Sequence, residues 1–112
     1  MSFVYFIQDE PLIKIGASDS PAHRLMQLRR RHPRARLLVA VEYVRHVVSG
    51  RSRAIRYHEH RWHDRYAHAR LFGEWFLPVP ALLDELDLLI ANSQPFIAPG
   101  CVSRVVSLPE AA

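Results

Sequence analysis

FVYFIQDEPLIKIGAS, residues 3–18, decides how the fold is read. Phe3 to Gln8 is dense in β-branched and aromatic residues, the composition of a strand. Asp9-Glu10-Pro11 is a turn signal. Leu12 to Ala17 is a second strand, so the stretch predicts a β-hairpin. The second strand carries Lys14, the only lysine of the chain, while every other Lys/Arg side chain is arginine. A lone lysine two residues before a glycine, facing a strand that carries Tyr5, asks for a reason that composition does not give.

Beyond the hairpin, Ser18-Asp19-Ser20-Pro21 reads as a helix start, with Ser20 as the cap and Pro21 at the first helical position. That helix is expected to run to about Arg31, with Leu25 and Leu28 facing inward, and to end at His32-Pro33. Ala35 to Val44 is a third strand. Its near-continuous apolar run predicts burial on both faces or a central position in a small sheet. Ser49-Gly50 opens a loop, and Arg51 to about His68 reads as a helix. Gly73 breaks the pattern, and Glu74 to Leu77 reads as an edge strand or a packed loop. Pro78 and Pro80 lead into an amphipathic helix over about Ala81 to Ala91. From Pro95 no period is visible. The expected order is β-β-α-β-α-(β)-α, a small mixed α/β (α+β) domain over residues 1–92 with a C-terminal tail over 93–112.

At 112 residues, 49% of them apolar, the chain fits one domain with one core and is too apolar for a disordered chain. Cys101 stands alone and cannot form an internal disulfide, which predicts a reducing compartment. No signal-peptide pattern and no run of about 18–20 apolar residues is present. A soluble, cytoplasmic protein without a membrane association is expected. The net charge of +4 hides an asymmetry. Every arginine except Arg104 lies between Ser20 and Gly73, opposed there only by Glu42, Glu59 and Asp64. Such a block suits an anionic partner, nucleic acid first, and equally suits a solvated surface.

On the long helix, about 100° of rotation per residue places Ile55, Trp62 and Tyr66 within about 40° of one another. Glu59 falls at the edge of that stripe, with His63 about 40° further round. A carboxylate there is costly unless it is paired, for instance with Arg56, or binds a metal. His58-Glu59-His60-Arg61-Trp62-His63 is not a zinc-protease helix, because Trp62 stands where His-Glu-x-x-His needs its second histidine. His58, His60, His63 and His68 also lack the spacing of a structural zinc site. Tyr5, Lys14 and Arg24, taken singly, read as a packed aromatic and two surface cations.

Taken in order, these residues resemble the GIY-YIG nuclease superfamily, and within it the branch of T5 Orf172-type DNA-binding domains. Phe3-Val4-Tyr5 stands for the first motif and Lys14-Ile15-Gly16 for the second. Arg24 follows Gly16 by the family's interval. Glu59 and His63 supply Glu-x-x-x-His, and Gly73-Glu74-Trp75-Phe76 closes the pattern behind Arg70. Two positions depart from the family pattern: the first motif lacks its glycine, and Lys14 replaces the second tyrosine.

The resemblance implies a small three-stranded antiparallel sheet flanked by helices. It also implies cleavage of DNA phosphodiester bonds, with RNA as the second candidate. Glu59 would hold Mg²⁺ or Mn²⁺, a hard cation that prefers oxygen ligands. Tyr5 would orient or deprotonate water, with Lys14 as the cation that eases its ionisation. Arg24 would contact the phosphate, and His63 would bond Glu59 or the phosphate. Arg29, Arg30, Arg56 and Arg70 would contact the nucleic acid. The alternative is a module of the same fold that binds nucleic acid without turnover.

Overall fold

The computed structural model describes residues 2–44, 54–98 and 101–109. The loop and helix start read at Ser49-Gly50, and the helical reading of Arg51, lie outside those residues. The hairpin is present as β1 (Phe3–Asp9) and β2 (Leu12–Ser18), antiparallel, with Tyr5 opposite Gly16 and Ile7 opposite Lys14. β1 also pairs antiparallel with β3 (Arg36–Val44), so it has a neighbour on both edges. Its residues alternate between two covered faces. Val4 and Phe6 join Ile13, Ile15, Val39 and Val41 in the larger core. Tyr5 and Ile7 join Leu25 and Ala35 in the smaller one. A strand covered on both faces has no polar side to show, which is why FVYFI reads as a continuous apolar run.

The smaller core is closed by α1 (Pro21–Leu28). Ser20 caps it, its Oγ accepting from the His23 amide at 3.4 Å, and Pro21 fills the first position. The helix stops at Leu28 rather than Arg31. There the amides of Arg30 and Arg31 turn to carbonyls three residues back, tightening the chain ahead of Pro33. The larger core is closed by α2 (Ile55–Arg65) and α3 (Pro80–Ala91). Trp62 of α2 meets Phe6 edge to face at 4.9 Å. A short 3-10 turn, Ala67–Ala69, follows α2. The chain then forms β4 (Arg70–Phe72) and β5 (Trp75–Phe76), turning at Gly73, whose φ of 53° suits glycine.

The sheet is not the small three-stranded one expected. It has seven strands in the order β4-β5-β2-β1-β3-β7-β6, where β6 is Gln94–Ala98 and β7 is Cys101–Pro109. All pairs are antiparallel except β3 with β7, which run parallel, Val41 opposite Val106. The extra strands escape a sequence reading for physical reasons. β4, three residues long, is too short to show a period, whereas β5 falls within the stretch read as an edge strand or packed loop and lies one strand in from the edge. Pro95, Pro99 and Gly100 read as loop punctuation in the sequence, although Pro95 lies within β6 and pairs with Arg104 of β7. The apolar run of β3 held the opposite signal, since a buried strand needs a partner at both edges. Arg104 ties β7 to the end of α3, donating to the Ser93 hydroxyl at 2.6 Å and the Ser93 carbonyl at 3.0 Å. No helix among the described residues is long and apolar enough to cross a membrane.

Val106 is 6% exposed in the larger core. Val106→Asp therefore buries an unpaired charge and is expected to cost about 2–4 kcal/mol. Urea unfolding checks this. An unchanged midpoint would mean that β7 does not pack on β3.

Candidate functional site

An open groove of about 620 Å³ lies between α1 and the first turns of α2, over the end of β2. It gathers Tyr5 from β1, Arg24 from α1, Arg56 and Glu59 from α2, and Glu74 from the turn into β5. Tyr5 is 3% exposed, and its hydroxyl end lies over Gly16. A Cβ on Gly16 would fall 2.3 Å from Tyr5 Oη and 2.9 Å from Glu74 Oε1. Real carbon atoms do not approach that closely, so glycine is what lets the phenol and the carboxylate meet above the strand.

Glu74 Oε1 also pairs with Lys14 Nζ at 3.2 Å, and the ammonium sits 5.3 Å from the centre of the Trp75 ring. The backbone carbonyl of Glu74 accepts from the Ile15 amide at 2.9 Å. Arg70 locks the preceding turn, its Nε donating to the Gly73 carbonyl at 2.7 Å. Glu74 is thus placed by the ladder, the turn and an ion pair together. A smaller cavity of about 230 Å³ joins Tyr5, Lys14 and Arg24 on shared walls.

The electrostatics follow from this gathering. The Tyr5 phenol is pushed up to about 12, first by burial, then by the Glu74 carboxylate and to a lesser degree by Glu59; Arg24 acts in the opposite direction. Glu59 is likewise held above the usual carboxylate range, first by burial and then by Glu74, against the pull of His63, His60 and Arg56. Among the described residues no ion pair closes on Glu59. Two carboxylates and a phenol therefore converge beside the guanidinium groups of Arg24 and Arg56.

The remaining candidates divide by position. His63 Nε2 donates to the Ile15 carbonyl at 2.8 Å and its ring meets Phe76 at 5.0 Å, so it fastens α2 to β2. Arg29 Nε donates to the Ala35 carbonyl at 2.9 Å and shapes the turn into β3. Arg30 is exposed beyond the end of α1. Glu74 is the residue whose place in the groove the sequence reading passed over as structural. Its signal was local: a glutamate after a turn glycine, one residue before a strand that pairs with Lys14. His23 and Gln27 of α1 also line the groove and were not singled out.

Among the described residues no group of three or more His, Cys, Asp or Glu side chains is arranged to hold a metal. A hard divalent cation such as Mg²⁺ asks for less, one or two carboxylates with waters in the remaining positions. Glu59 and Glu74, hard oxygen donors opening on an accessible groove, fit that demand. No known family model, curated protein or solved structure matches the chain.

Because the folded-state pKa of Glu59 is raised, its stabilising contribution is present below the unfolded value and is lost as pH rises through the folded one. At neutral pH without divalent cations, Glu59→Gln is therefore expected to melt above wild type. The difference should shrink as pH falls to about 4, near the ordinary carboxylate value. Thermal unfolding at two pH values checks it, and a variant that melts lower at neutral pH would contradict the assigned environment.

Proposed function

We propose that the chain is a metal-dependent nuclease of GIY-YIG type that acts on DNA phosphodiester bonds at the groove. The single observation that carries the reading is the convergence of Tyr5, Arg24 and Glu59, three side chains far apart in sequence, on one open cavity. Their order along the chain matches the family pattern, and the arginine-rich stretch supplies attraction for a polyanion.

Each residue then has a physical task. Arg24 binds a non-bridging oxygen of the phosphate through charge-assisted hydrogen bonds, and Arg56 at the groove's other wall adds a second cation. Glu59, with Glu74 beside it, holds Mg²⁺ or Mn²⁺. When bound, that cation neutralises charge on the phosphate and acidifies water. Tyr5 keeps its proton at neutral pH in the groove as described, since its pKa stands near 12. Its hydroxyl therefore orients the attacking water by hydrogen bonding. Lys14 holds the Glu74 carboxylate in an ion pair and offsets part of its charge.

A second reading, a module that binds nucleic acid without turnover, is favoured by one observation: the only lysine is already paired with Glu74. Cleavage assays separate the two. Purified protein is incubated with plasmid and with single-stranded DNA in Mg²⁺ or Mn²⁺. Metal-dependent nicking is expected, reduced roughly 10²–10³-fold in Arg24→Ala and abolished in Glu59→Gln. If wild type binds DNA in a salt-dependent way but never cuts it, and Glu59→Gln binds equally well, the binding module replaces the nuclease.

A further inference from the structure

On the other side of α2 from the groove lies a cavity of about 300 Å³. Helix α2 contributes Tyr57, His58, Arg61, Trp62 and Arg65 to it, and Tyr43 near the end of β3 closes one side. Beside these rings and guanidinium groups, the walls include the Glu85 carboxylate and the apolar Leu89, Leu108 and Pro109. Tyr43 and His58 lie parallel, with centroids 3.8 Å apart and planes 5° from each other. Arg61 stands 5.9 Å from the Tyr57 ring, and Arg65 stands 5.0 Å from the Trp62 ring. Arg65 is ion-paired with Glu85, whereas Arg61 has no carboxylate partner among the described residues.

Rings that offer π-faces, with a cation at the rim, are the equipment of a surface that takes single-stranded nucleic acid. Contact with a duplex backbone needs cations but neither rings nor a concavity. The cavity also lies at the carboxyl ends of the two parallel strands, where Tyr43 of β3 stands opposite Leu108 of β7.

We infer that this cavity seats one unpaired nucleobase of the strand whose phosphate occupies the groove, with Arg61 on that nucleotide's own phosphate. The inference rests on the nucleic-acid reading of the groove and narrows the substrate to single-stranded or locally unpaired nucleic acid. An α-helix with its side chains is about 10–12 Å across. A strand crossing the N-terminal half of α2 therefore meets Arg56 and Glu59 on one side and Tyr57 and Arg61 on the other.

Anisotropy titrations test it without any cleavage. A labelled oligothymidylate and a duplex of the same length are titrated in the absence of divalent cations with wild type, Tyr57→Ala and Arg61→Ala. Tyr57 is 37% exposed, so its truncation spares the core, and circular dichroism confirms the fold of each variant. Wild type is expected to prefer the single strand. Tyr57→Ala should weaken single-strand binding roughly fivefold to a hundredfold and leave duplex binding unchanged. Arg61→Ala should weaken it and flatten its salt dependence. Single-strand binding untouched by both substitutions overturns the inference while leaving the nuclease open to its own assay. Tyr57-dependent binding by a protein that never cuts supports the cavity and sinks the nuclease. Absence of any nucleic-acid binding overturns both.

Discussion

The approach of the Tyr5 hydroxyl and the Glu74 carboxylate over Gly16 is the constraint on which the site depends. It exists because the β1–β2 register puts Tyr5 opposite a residue with no side chain. A slip of one residue would turn Tyr5 to the other face and bring a different side chain beneath it. The register is held by burial on both sides, with Val4 and Phe6 in one core and Tyr5 and Ile7 in the other. Core packing thereby sets the geometry of Tyr5 in the groove, while the turn at Gly73 brings in Glu74.

The charges around that point add little to stability. A partly exposed pair such as Lys14–Glu74 contributes at most about 1 kcal/mol. Its effect lies in where it puts the carboxylate. Burial first, and the Glu74 carboxylate second, push both the Tyr5 phenol and the Glu59 carboxyl upward, so an ionised Glu59 sits there at some cost. Arg24 and Arg56 offset part of it. The arginines outside the groove differ in kind: Arg29, Arg70 and Arg104 spend their donors on backbone carbonyls or a buried serine, and so fix turns and strands.

How far the sequence reaches is clearest at particular residues. The hairpin, the Ser20–Pro21 helix start and the inward stripe of Trp62 and Tyr66 on α2 were legible, because each rests on a local signal with one dominant interpretation. The meeting of Tyr5, Arg24 and Glu59 was legible only through motif order, since no periodicity relates residues on three separate elements. The seven-stranded sheet was not legible. β5 was glimpsed as an edge strand or packed loop, but β4 is shorter than any usable window, and β6 and β7 lie in a stretch whose prolines and glycine read as loop. His58, read from the sequence only as lacking the spacing of a zinc site, is 6% exposed and stacked on Tyr43. Its partner comes from β3, a long-range pairing that helix periodicity does not carry. Glu74 was passed over because its role depends on Gly16 and Lys14, which lie on another strand.

The most direct measurement is Mn²⁺ binding followed by electron paramagnetic resonance, with Mg²⁺ as competitor, on wild type, Glu59→Gln and Glu74→Gln. One Mn²⁺ per chain is expected in wild type, displaced by Mg²⁺, lost in Glu59→Gln and weakened in Glu74→Gln. Binding that is the same in all three proteins, or absent from wild type, would contradict the claim that these carboxylates form the groove's cation site.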